Sequence, residues 1–262
     1  MTVKDLLRET TLRLRSAGIE DPRVDSEILL AATLRIPRAH LPAIDSLSKK
    51  DQCHFEEWIQ ERSEKRTPVA HLIGECEFFG LPFRVSPDVL IPRPETEFLV
   101  ERALARKERT FLDIGTGSGA IAVALATKGF SGIATDTSTE ALTIARENAE
   151  RNGVSSKIEF IEADLFAPGN YDLVLSNPPY IPSAEIETLS PEVRQEPKAA
   201  LDGGRDGLDL IRKILSGTSL PLLMEAGAGQ SQQITNLALQ SGFSNVQWVK
   251  DLAGIDRILE VE

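Results

Sequence analysis

From about residue 109 onward, short apolar runs alternate with segments of helical period, and this alternation constrains the fold more than any other feature of the chain. Thr110-Ile114, 131-135, 157-161, 171-176 and 219-225 have the length and apolar, β-branched content of buried strands. Between them, 118-128, 138-152, 206-216 and 229-241 read as helices. Alternation of this kind predicts a parallel, doubly wound α/β sheet. Two last strands, near 245-249 and 256-261, are separated by a loop alone, so the final one is expected to run antiparallel. The expected sheet has seven strands.

Residues 1-73 have a different period. Val3, Leu6, Leu7, Leu14 and Ala17 give a helical stripe that Gly18 ends. Asp21-Pro22 reads as an N-cap with proline at the first helical position, launching 24-32. Further helices are expected over 48-63 and 68-71, with a break at Gly74. This segment holds no Gly-rich or acidic constellation, which suits a docking domain. Phe78, Phe79, Leu81, Phe83 and Val85, around Gly80 and Pro82, then predict a β-hairpin. The proline-stiffened stretch Leu90-Ile91-Pro92-Arg93-Pro94-Glu95-Thr96-Glu97 leads from it into a helix starting near Thr96. The expected layout is a helical substrate-docking domain over 1-73, hairpin and linker over 74-95, and the α/β domain over 96-262.

Composition narrows the function classes. With 41% hydrophobic residues, the chain can bury a sizeable core. No apolar run approaches the roughly 18 residues that span a bilayer, and Met1-Asp5 opens no signal-peptide core, so a cytoplasmic, membrane-free protein is expected. Cys53 and Cys76 then read as free, buried thiols, and three scattered histidines offer no metal site. Residues 1-88 carry 13 basic and 15 acidic side chains and the remainder 16 and 25, a net charge of -11. Neither part is a basic module of the kind that embraces nucleic acid over a broad surface, which leaves room only for a local patch.

The chemistry gathers at strand ends. Asp113-Ile114-Gly115-Thr116-Gly117-Ser118-Gly119 follows the first strand and opens a helix, with glycines where a ligand would approach the backbone. The run also satisfies the loose G-x-G-x-x-A dinucleotide fingerprint. Asp113 suits a cationic ligand better than a pyrophosphate, and S-adenosylmethionine carries an ammonium beside a sulfonium. Asp136 ends the second strand, where a carboxylate can accept from ribose hydroxyls; Thr137-Ser138-Thr139-Glu140 supplies a capping box, leaving Asp136 less needed as a cap. Asp164, after the third strand, stands where an adenine amino group could bind, with Leu165 and Phe166 to pack on the ring; a plain turn aspartate is the competing reading. After the fourth strand, Asn177-Pro178-Pro179-Tyr180 removes two backbone donors and leaves acceptors, a pair that could receive both hydrogens of a planar NH2 group.

Together these motifs resemble the class I S-adenosylmethionine-dependent methyltransferases, and the Asn-Pro-Pro-Tyr form resembles those that methylate exocyclic or amide nitrogens. Three more stretches narrow the resemblance: Gly74-Glu75-Cys76-Glu77-Phe78-Phe79-Gly80, Ile91-Pro92-Arg93-Pro94-Glu95-Thr96-Glu97, and Glu196-Pro197 ahead of Ala200-Leu201-Asp202-Gly203-Gly204-Arg205-Asp206-Gly207-Leu208. With the helical N-terminal segment they are similar to the protein-(glutamine-N5) methyltransferases of the PrmC/HemK family, which modify the Gly-Gly-Gln loop of peptide chain release factors. The resemblance implies S-adenosylmethionine as donor, S-adenosylhomocysteine as product and no metal. It implies donor binding by Asp113, Gly115, Thr116, Gly117, Ser118, Gly119, Asp136, Asp164, Leu165 and Asn177. Asn177 and Pro178 would accept from the substrate amide, with Pro179 and Tyr180 lining it. The expected partner is a release factor, met by a monomer with no direct nucleic-acid contact. A nucleic-acid adenine-N6 methyltransferase poses the same geometric problem but needs base flipping and a grip on phosphates, which the charge disfavours. A non-catalytic binding module on the same fold is the other alternative. An NAD enzyme lacks a hydride-transfer residue.

Overall fold

The N-terminal stripe forms α1 (Val3–Ser16), started by Thr2 and Asp5 in a capping box. Its inner face is Val3, Leu6, Thr10 and Leu14, and buried Thr10 spends its hydroxyl on the Leu6 carbonyl at 3.0 Å. α2 (Pro22–Leu34) follows; proline at its first turn stands in for a cap, since Asp21 makes no side-chain capping bond. α3 (Lys49–Gln60) is capped by Ser48 and widens into a π-turn over Glu61–Lys65, and α4 (Val69–Ile73) ends on Gly74 in the left-handed region. Leu14, Leu29, Leu30, Phe55 and Ile59 make their common core.

The computed structural model describes residues 2–262 in two compact units, and Ser190–Gln195 belongs to the helical one, with the residues up to Gly74. Charge holds that segment there. Glu192 takes Arg62 at 2.8 Å and Arg66 at 2.7 Å, Arg62 also binds Asp25 at 2.8 Å, and Gln195 donates to the Lys65 carbonyl. Burial opposes ionisation of Glu192, but the Arg66 and Arg62 bonds outweigh it and hold its pKa below the usual value.

The second unit, Glu75–Leu189 with Glu196–Glu262, opens with the antiparallel hairpin β1 (Glu75–Phe78) and β2 (Leu81–Arg84). Its two turn residues, Phe79 and Gly80, both have positive φ, the type I′ geometry that follows the strand twist. After α5 (Thr96–Leu104) comes the sheet: β3 (Thr110–Ile114), β4 (Ser131–Asp136), β5 (Ile158–Glu162), β6 (Leu173–Ser176), β7 (Leu222–Glu225), β8 (Val246–Lys250) and β9 (Asp256–Val261). The spatial order is β5-β4-β3-β6-β7-β9-β8, all parallel except β9, which runs antiparallel to both its neighbours. The expected seven-stranded sheet with a reversed last strand is present. Strand periodicity sends Phe111, Leu173 and Leu175 into one core with α6 (Ala120–Thr127), and Leu112, Ile114 and Val174 into the other with α8 (Asp209–Gly217) and α9 (Ser231–Gln240). The order reverses between β3 and β6, the switch point where open α/β sheets bind ligands.

Several local expectations differ. α6 starts at Ala120 because Gly119 is left-handed, and α8 starts at Asp209 because the preceding residues form a loop. Thr137-Glu140 forms no capping box at the start of α7 (Thr139–Arg151): Ser138 caps Ala141, while Glu140 takes the Ser138 and Thr139 hydroxyls. Cys53 is exposed rather than buried, because it lies off the Phe55-Ile59 face of α3. Cys76 is half-buried, and burial pushes its thiol up to about 11. Among the described residues no helix is long and apolar enough to cross a membrane.

Candidate functional site

Ile114 pairs in register with Thr135 on one side and Ser176 on the other. The chain therefore leaves β3, β4 and β6 at Gly115, Asp136 and Asn177 along one edge of the sheet. β5 ends at that edge too, with Glu162 opposite Asp136. Strand register alone thus brings together four segments spread over some sixty residues of sequence.

The loop after β3 takes left-handed backbone at Gly115, Gly117 and Gly119. A Cβ on Gly115 or Gly117 would meet no protein atom within 4 Å, whereas one on Gly119 would press Ala145 of α7 at 3.1 Å. The first two glycines thus face open space and the third serves packing. Thr116 donates its N–H to the Thr135 carbonyl at 2.9 Å, and Gly117 its N–H to Asp136 Oδ2 at 2.9 Å. Asp136 Oδ1 accepts from Ser138 N at 3.0 Å, so this carboxylate ties the loop to the start of α7 while staying half-exposed. Ser118 is buried, and its carbonyl receives the Asn148 side chain, which also bonds Arg84 of β2.

Asp113 has no exposed surface. Thr116 donates to its Oδ2 at 2.6 Å, while Oδ1 has no hydrogen-bond partner among the described residues. Burial pushes this carboxyl up to about 7 against the Thr116 bond, and the nearby Asp136 charge pushes the same way. Sealed from water, Asp113 reaches the loop around it through its charge rather than through solvent.

After β5, Asp164 is exposed and Leu165 sits at φ 77, unusual for a branched residue. The Thr135 hydroxyl holds the Leu165 carbonyl at 2.7 Å. Leu165 and Phe166 are both half-buried and pack against the core that α8 and α9 share, with the Phe166 ring over Gly217, where a Cβ would stand 2.3 Å from it.

Pro178 is buried, and Asn177, Pro179 and Tyr180 are half-buried. The loop 201-208 packs beneath them: Ile181 donates to the Leu201 carbonyl and Gly203 to the Ile181 carbonyl. At Gly207 a Cβ would stand 2.2 Å from the Tyr180 carbonyl, which Gln230 also holds at 2.9 Å. Arg93 has a partner in Glu196, whose side chain is 2% exposed; its carboxylate takes Arg93 at 2.5 Å and the Ile91 N–H at 3.0 Å, pinning the proline-stiffened strap.

The sequence places Thr96 in the proline-stiffened strap but gives no sign of its bond to Asn177, and Glu225 escaped the sequence reading altogether. Thr96, first residue of α5, receives the Asn177 side-chain N–H at 3.1 Å and donates its hydroxyl to Glu225 at 2.7 Å. Glu225, last residue of β7, also receives the Tyr180 hydroxyl at 3.3 Å. Burial raises the Glu225 pKa, and burial together with Glu225 raises that of Tyr180. An acid closing a parallel strand, the signal that marked Asp136, was present at Glu225 as well.

The family pattern described as "Methyltransferase small domain" matches residues 94–204, and "PrmC N-terminal domain" matches 5–74. Among solved structures, the chain is similar to the hMettl16 catalytic domain in complex with MAT2A 3'UTR hairpin 6, at 17% identity and TM-score 0.59 over 83% of each chain. It is likewise similar to a methyltransferase from Pyrococcus furiosus, at 19% identity and TM-score 0.53 over 82% of this chain and 98% of that one. At these identities the likeness shows the fold alone. The sequence relatives go further. The release factor glutamine methyltransferase of Cereibacter sphaeroides is 43% identical over 99% of this chain and 98% of its own length. Those of Geobacter sulfurreducens and Moorella thermoacetica are 39% and 40% identical, each over 98% of this chain and over 95% and 97% of their own lengths. Identity at this level, over both parts of the chain and nearly the whole of each relative, means that the chain belongs to the release factor glutamine methyltransferase family.

Proposed function

We propose that this protein transfers the methyl group of S-adenosylmethionine to the side-chain amide nitrogen of the glutamine in the Gly-Gly-Gln loop of peptide chain release factors. The observation that carries the reading is the pairing of Ile114 with Ser176, which sets the open glycine loop and Asn177 side by side at the switch point. The residues there fit the donor: Gly115 and Gly117 clear a space that any Cβ would enter, and half-exposed Asp136 keeps lone pairs for hydroxyl groups. Thr116, Ser118 and Gly119 shape that loop, and the Asp164-Leu165 corner borders the same edge. When bound, the donor supplies an electrophilic methyl carbon on a sulfonium.

An amide nitrogen is a poor nucleophile because its lone pair is delocalised into the carbonyl. Asn177 Oδ1 and the Pro178 carbonyl hold its two N–H bonds, and Pro179 and Tyr180 wall its flat face. Gripping both hydrogens localises electron density on nitrogen and aims it at the methyl carbon. Asn177 is thus an acceptor and orienter, neither nucleophile nor base; the proton leaves after transfer. No residue of the chain is needed as a metal ligand. The helical segment docks the release factor, and the protein acts as a cytoplasmic monomer without nucleic acid.

The test offers labelled S-adenosylmethionine with a release factor, its Gln-to-Ala loop variant, and DNA. Label on the release factor alone is expected. Label on DNA or on the loop variant overturns the reading.

A further inference from the structure

An asparagine amide has two ends of nearly the same shape and opposite polarity. A substrate NH2 group needs the oxygen end facing it; a flipped Asn177 would present its own NH2 and repel. Thr96 is the partner that decides. A hydroxyl by itself tolerates either end, since it both donates and accepts. Its single proton, however, goes to Glu225 at 2.7 Å, so only lone pairs face Asn177, and these accept the side-chain N–H at 3.1 Å. Glu225 is 1% exposed and Thr96 4%, which keeps water from offering the hydroxyl another acceptor. The second Glu225 oxygen takes the Tyr180 hydroxyl, so one carboxylate sets both the acceptor, through Thr96, and the Tyr180 wall.

Secondary structure supplies the placement. Met224 pairs with Ser176, which puts Glu225 beside Asn177 at the ends of adjacent strands, and the Thr96 N–H is held by the Arg93 carbonyl at 3.0 Å. The geometry points to Thr96 and Glu225 as positioning residues that fix the polarity of the Asn177 amide, a role that rests on the reading of Asn177 as acceptor for the substrate amide. Neither touches the reacting atoms.

Thr96→Val keeps the shape and removes the hydroxyl; Thr96→Ser keeps the hydroxyl. For Thr96→Val, kcat on the release factor is expected to fall roughly tenfold, as for a misplaced catalytic contact. Donor affinity and the release-factor KM should stay near wild type. Thr96→Ser should restore turnover to about half of wild type or better. Independently of turnover, the Asn177 side-chain NH2 protons, followed by NMR, should exchange slowly in the wild type and in Thr96→Ser and quickly in Thr96→Val. Thermal midpoints of both variants separate loss of fold from loss of orientation. Wild-type turnover in Thr96→Val, equal losses in the two variants, or unchanged exchange in Thr96→Val overturns the role. A wild-type protein that leaves release factors unmethylated instead fails the functional reading, while the exchange measurement still reports the amide's polarity.

Discussion

β6 delivers Asn177 between two strands that each carry a buried acid, and the two acids are treated differently. On the glycine-loop side, Asp113 of β3 is fully buried with one oxygen bonded to Thr116 and the other without a geometric hydrogen bond among the described residues. On the opposite side, Glu225 of β7 has both oxygens engaged, by Thr96 and Tyr180. An unpartnered buried carboxylate waits for a charge; a fully bonded one holds its neighbours still. On the proposed reading, the donor side is the one that responds to its occupant, and the acceptor side is held in place before the substrate arrives.

Asn177→Ala breaks the acceptor side outright: single-turnover transfer should slow by roughly a hundredfold or more, with donor affinity by calorimetry nearly unchanged. Equal losses in both quantities would merge the two sides. Gly115→Ala attacks the donor side alone. Its Cβ points into open space, so donor affinity should fall roughly tenfold from the clash, while the left-handed backbone costs about 1 kcal/mol of stability. Gly119→Ala, pressed against Ala145, should instead show mainly as a lower thermal midpoint. Glu225→Gln sharpens the contrast, since an amide can donate to Thr96 and permit the reversed chain; turnover should drop roughly fivefold with donor binding intact.

The smallest effect is a pH dependence. The Asp113 carboxyl sits near 7 in the folded protein against 3.8 when exposed, so the stability it contributes is greatest below about pH 4 and is lost as pH rises through 7. Asp113→Asn removes that loss, and its thermal midpoint should gain on wild type between about pH 4 and pH 7 and level off above that. A cationic donor favours the ionised acid, so donor affinity in the wild type should rise through pH 7, and Asp113→Asn should flatten the rise. A flat wild-type profile would leave Asp113 with no part in donor binding.

How much was legible follows from where each feature resides. The sheet, its reversed last strand and the edge that gathers Gly115, Asp136 and Asn177 were readable, because period and strand length are local properties. The acceptor motif was readable because two prolines leave few conformations. Thr96 was legible as part of the strap but its link to Asn177 was not, and Glu225 was not singled out: they lie 81 and 48 positions from Asn177, and only the β6-β7 register and the strap ahead of α5 bring them to it. The burial of Asp113, the packing of Phe166 over Gly217 and the capture of Ser190–Gln195 by Arg62 and Arg66 are packing outcomes without a local signature.

The central claim is that the rigid acceptor side presents Asn177 to a glutamine amide. The direct measurement is peptide mapping by mass spectrometry of a release factor after incubation with S-adenosylmethionine and either wild-type protein or Asn177→Ala. A single methyl group on the Gly-Gly-Gln glutamine with wild type, and almost none with the variant, is the predicted result. Methylation at any other residue, or equal modification by the variant, would contradict it.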